Sequence, residues 1–133
     1  MTDLIRQYHN TGHHLCGAGI VVGSLIDPER IANEHIRIHA LEGRLFRRVV
    51  EEATARNKLR CSVWRERDLY AFAARILKQS DDALRATLVR LGGTVTGSWR
   101  AEHKAAALAA WLVLAGCLPT TQQPVDRKKS AAF

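Results

Sequence analysis

The spacing of apolar positions changes several times along this chain, and each change marks an element boundary. Leu15 to Ile26 (LCGAGIVVGSLI) is a glycine-punctuated apolar run with β-branched Ile20, Val21 and Val22, which predicts a buried strand or strand pair. Asp27, Pro28 and Glu29 then supply a capping acceptor, a proline at the first helical position and a first-turn acid. One long amphipathic helix is therefore expected from Asp27 to about Asn57. At about 100° per residue, Ile31, Ile38, Leu41, Leu45, Phe46, Val49 and Ala53 gather on one face of it. Leu59 to Trp64 alternates and predicts a second strand. Glu66 to Lys78 predicts a short amphipathic helix, and Ser80-Asp81-Asp82 caps another that Gly92-Gly93 ends. From Trp99 to Ala115 the chain is apolar almost all round, as a buried helix would be, and its alanines permit close packing on a sheet or on the long helix.

Strand, long helix, strand and further helices amount to an α/β fold. Its expected core is a small parallel or mixed sheet with a long crossover helix and a buried C-terminal helix. Residues 1–14 read as a partly ordered polar segment, residues 15–116 as one domain, and residues 117–133 as a flexible basic tail. In such sheets ligands collect beyond the carboxyl ends of the strands, here Ser24 to Asp27 and Trp64 to Asp68.

Charge and composition narrow the classes. The 133 residues carry 20 Lys and Arg against 13 Asp and Glu, a net charge of +7 that favours a nucleic-acid partner. No apolar run approaches the roughly 18 residues of a membrane span, and no signal-peptide order opens the chain. Cys16, Cys61 and Cys117 lack metal spacing and fit reduced, mostly buried thiols in a cytoplasmic protein.

Glu42 is the anomaly. It falls within the apolar stripe of the long helix, where a carboxylate costs several kcal/mol unless it is paired, protonated or metal-bound. His35 and His39 precede it on the same side, so the three can present two imidazoles and a carboxylate to one divalent ion; the alternative is a buried polar network. Glu102, in the first turn of the last helix, would extend the set to a magnesium or manganese centre if the fold brought it to Glu42. His35, Glu42 and Glu102 are then the candidate catalytic residues. Arg30, Arg37, Arg44 and Arg48 form a row over about 27 Å of the long helix, suited to phosphates or to simple solvation, with Arg30–Glu34 and Arg48–Glu52 at ion-pair spacing. Arg65 and Arg67 add charge beside the second strand, near Trp64 and Tyr70, which can stack on bases or pack in the core. Gly17, Gly19 and Gly23 lie inside the first strand instead of after it, which excludes a dinucleotide fingerprint.

The stretch LEGRLFRRVVEEATARNKLRCSVWRERDLYAFAARIL from Leu41, together with the closing HKAAALAAWLVLAG, resembles the C-terminal half of ribonuclease H-like nucleases of the Holliday-junction-resolvase (RuvC-like) group. The resemblance implies a shortened ribonuclease H-like fold. It also places Ala101 and Lys104 where that group carries aspartates, with Glu102 nearby, so Glu42 would have to serve as an unusual ligand. The expected function is a nucleic-acid-associated domain, in its sharpest form a degenerate or divergent metal-dependent nuclease. The alternative is a small oligomeric scaffold in which Glu42 and its histidines form a buried polar network; a small-molecule enzyme using the same cluster as acid and base is a third reading.

Overall fold

The computed structural model describes residues 2–23 and 25–117. Its elements are α1 (Thr2–Asn10), β1 (Gly17–Val22), a 3-10 turn (Pro28–Arg30), α2 (Glu34–Arg56), β2 (Arg60–Arg65), α3 (Glu66–Leu77), α4 (Asp81–Gly92) and α5 (Ala101–Cys117). The fold is α/β. β1 and β2 pair in parallel, Gly17 opposite Arg60 through Val22 opposite Arg65, with α2 as the crossover between them. Of the expected tail, residues 117–133, Cys117 is the last residue of α5, and residues 118–133 lie outside the described residues.

The core sits on one side of this small sheet. Leu69 and Ala73 of α3, Leu84 and Leu88 of α4, and Ala105, Leu108, Ala109 and Leu112 of α5 form one buried cluster, flanked by half-buried Val21, Trp64 and Trp111. Each of the four fully enclosed leucines contributes about 1.5–3 kcal/mol. Small residues set the distances. A Cβ on Gly17 would stand 2.8 Å from Val113 Cγ1, and one on Gly19 would stand 3.0 Å from Ala109 Cβ. The glycines of β1 are thus where α5 lies against the strand. Of the two packing partners open to the alanine-rich helix, the sheet is the one it takes.

The α4–α5 corner is closed by Trp99. Its indole Nε1 donates to Leu88 O at 2.8 Å, and its ring occupies the space that a Cβ on Gly92 would need. α5 then opens with one half of a capping box: Arg100 N donates to His103 Nδ1 at 3.1 Å, and the His103 ring stacks on Trp99. The His103 side chain thus closes the start of α5 on both Arg100 and Trp99.

Two expectations change at the N-terminal half. Residues 1–14 include a regular helix, with Ile5 buried beneath it. α1 ends in a Schellman pattern: Gly12 at φ 83° donates to His9 O, and His13 N donates to Tyr8 O. The long helix is also shorter than expected. Asp27 does accept a capping bond, from Glu29 N at 3.1 Å, but the helix it starts is only the 3-10 turn. Asn33 caps α2 proper by accepting from Ile36 N. A good start signal cannot report how far the helix behind it runs.

The β1–α5 seam yields a direct test. Gly19→Ala should lower the unfolding free energy by about 1–3 kcal/mol, because the added methyl meets an unyielding alanine and its backbone. Gly43→Ala, where a Cβ meets nothing within 4 Å, should instead raise it by up to about 1 kcal/mol through helix propensity alone. Urea midpoints of the two variants against the parent decide it.

Candidate functional site

The long helix docks by the face opposite to its apolar stripe. Ala40, Arg44, Arg47, Val50, Glu51 and Thr54 are the half-buried or buried positions along one side of α2. Thr54 is nearly sealed, and its hydroxyl donates to Val50 O and Glu51 O at 2.9 Å. The predicted core face looks outward: Ile38, Leu41, Leu45, Phe46 and Val49 are 47–70% exposed, with only Ala53 buried at its C-terminal end. The periodicity was sound as a statement about one apolar face. Nothing in it says which body covers that face.

Glu42 is consequently not buried. Its side chain is 60% exposed and lies 3.4 Å from His39 Nδ1. The second ring nitrogen of His39, Nε2, lies 3.3 Å from His35 Nε2, the two rings standing edge to face. The trio is a chain, Glu42 to His39 to His35, in which His39 uses both nitrogens for different neighbours. A shared metal ion needs one donor atom from each residue aimed at a common point, and among the described residues no three His, Cys, Asp or Glu side chains form such a group. Glu102 is exposed in the first turn of α5, and no described contact joins it to Glu42. Between exposed groups, the Glu42–His39 pair is worth under about 1 kcal/mol.

The arginine row divides. Arg30 belongs to the 3-10 turn and is off the helix, while Arg37 and Arg48 are exposed on α2. Neither Arg37 nor Arg48 has an ion-pair partner among the described residues, so the expected Arg48–Glu52 pair does not form, nor does Arg30–Glu34. Arg44 turns inward, half-buried. Arg65 is engaged by Asp68 at 2.6 Å, and Arg67 is exposed. The two aromatics near them are committed to packing: Trp64 sits 6.2 Å from Phe72, and Arg85 covers Tyr70 at 4.0 Å.

The end of β1 is where a concavity forms. A groove of about 680 Å³ runs between α2 and the strand with its following segment, lined by Ile20, Val22, Phe46, Val50, Arg44 and Arg47 among others. This is the carboxyl end of a parallel strand, as the topology led one to expect.

The cysteines also depart from expectation. Cys16 is disulfide-bonded, so the reading of reduced thiols fails there, whereas Cys61 is a free, half-buried thiol. Spacing along the chain carries no information about which sulfurs a fold brings together. Burial is the main cause raising the Cys61 pKa from its ordinary 9.0; Glu51 pushes the same way, and a hydrogen bond with Thr54 partly opposes. Among the described residues no helix is long and apolar enough to cross a membrane.

Comparison with protein families, curated proteins and solved structures gives no match to this chain.

The Cys61 thiol makes a pH prediction. Its proton is held more tightly in the folded chain than in the unfolded one, so this contribution is intact below the unfolded pKa and is lost as pH rises through the folded one. Stability should fall faster above pH 9.0 in the parent than in Cys61→Ala, as read from urea midpoints at neutral and alkaline pH.

Proposed function

We propose that the protein is a self-associating interaction module that buries the outward face of α2 against a second copy. The exposure of Ile38, Leu41, Leu45 and Val49, at 47–61%, carries this reading. Their spacing of three, four and four residues keeps them on one side of a 23-residue helix about 34 Å long. A contiguous apolar strip of that kind is uncommon on a protein that stays monomeric, because it forfeits burial along its whole length. Glu42, His39 and His35 run along one edge of the strip, and Arg37 and Arg48 along the other. On association the Glu42–His39–His35 chain would become the polar border that fixes register, the role a buried polar group best serves at a helix seam.

Leu45→Asp should convert a dimer to a monomer while leaving far-ultraviolet circular dichroism unchanged, since Leu45 makes no part of the protomer core. Sedimentation equilibrium reads the outcome. A parent that is monomeric at all accessible concentrations would refute the proposal.

A second reading, nucleic-acid association, is favoured by a separate observation: Arg37 and Arg48 are exposed and without ion-pair partners among the described residues of a chain with net charge +7. Each unpaired guanidinium is free to take a phosphate. Binding of single- or double-stranded DNA or RNA should weaken steeply between about 50 and 200 mM salt. Arg37→Ala combined with Arg48→Ala should flatten that slope by about two contacts. A salt-independent response would leave only the first reading. The ribonuclease H-like resemblance belongs with this second reading as a source of phosphate contacts, and no cleavage step is assigned to Glu42 or Glu102.

A further inference from the structure

His35 and His39 do more than extend a polar border. Four residues apart, they stand on successive turns of α2, and their Nε2 atoms come within 3.3 Å of each other. Only one proton fits between two nitrogens at that distance, so one of them presents a bare lone pair to its neighbour. His39 is the ring set up to do so. Glu42 Oε2, 3.4 Å from His39 Nδ1, draws the ring proton to that nitrogen and leaves Nε2 as the acceptor. Glu42 thus stands behind His39, where a carboxylate orients a metal-binding imidazole without itself touching the metal.

The separation of the two nitrogens selects the cation. With zinc–nitrogen bonds of about 2.05 Å, a span of 3.3 Å corresponds to an N–Zn–N angle of about 107°, close to tetrahedral. A square-planar or octahedral ion asks for about 90°, which would bring the nitrogens to about 2.9 Å. Magnesium and calcium take oxygen ligands instead. Both rings are exposed and stand edge to face, so a turn about χ2 aims both lone pairs at one point. We propose that His35 and His39 chelate one Zn²⁺ through their Nε2 atoms, with Glu42 positioning His39. The ion takes the place of the proton between the rings, and that proton passes through water to His35 Nδ1, so both imidazoles remain neutral. Two positions of the tetrahedron stay open to water or to a donor from another molecule.

Zinc chloride titrated into the full chain at neutral pH should show one saturable site per chain by calorimetry. Either His35→Ala or His39→Ala, both at exposed positions, should lose roughly tenfold or more in affinity, and Glu42→Ala about tenfold. The free thiol of Cys61 and the histidines after α1 are the competing zinc donors. Cys61→Ala, and His13→Ala combined with His14→Ala, should therefore bind as the parent does. Leu45→Asp should bind equally well, which separates this site from self-association. Proton–nitrogen correlation spectra of the imidazoles should show Zn²⁺ moving Nε2 of His35 and of His39 together. In the metal-free parent the same spectra should show His39 protonated at Nδ1, a preference that Glu42→Ala removes. No saturable binding, binding that survives the loss of either histidine, loss of binding in Leu45→Asp, or equal binding of Mg²⁺ would overturn the proposal.

Discussion

Everything in this fold depends on how closely α5 can lie against β1. A two-stranded sheet has little area to offer, so whatever packs on it must come very near to exclude water. Gly17 and Gly19 on the strand meet Val113 and Ala109 on the helix at distances that leave no room for another methyl. That contact fixes α5, and α5 in turn brings Leu108 and Leu112 into the leucine cluster of α3 and α4. The fully enclosed core is thereby built on one side of the sheet. The other side is left to a helix whose docking face is small and polar.

That asymmetry explains why α2 was legible as a helix and illegible as a packing element. Its length, its apolar stripe and the oddity of Glu42 were all in the sequence, because helical periodicity is a local property. The partner of the stripe is not local. The inner face works through Ala40, through Val50 and Thr54, and through the stems of Arg44 and Arg47, which cover apolar surface while keeping a charged tip. Residues of that kind produce no hydrophobic period to notice. Glu42 therefore looked buried only under the assumption that an apolar face always turns inward.

The rest divides along similar lines. Parallel pairing of Gly17–Val22 with Arg60–Arg65 followed from two strands joined by a helical crossover, and the limits of α3 and α4 followed from Ser80 and Gly92-Gly93. α1 was missed although Thr11-Gly12-His13 carried its stop signal, since polar composition outweighed it. The disulfide at Cys16 and the groove at the end of β1 arise from contacts between distant segments. For the groove, the placement of the strand end was predictable, and the inward turn of Arg44 and Arg47 was not.

α2 has one further consequence. Few of its side chains are sealed, Ala53 and Thr54 alone among the described residues being fully buried. A helix so held sits at the low end of local opening free energies, well below that of the α3–α5 cluster. Its two faces nevertheless share one backbone. A copy of the chain on the outward face would deepen the closed state by RT ln(1 + [L]/Kd), and would order the groove wall below at the same stroke. The outward face and the groove meet along Phe46 and His39, and both are held through the attachment of a single helix.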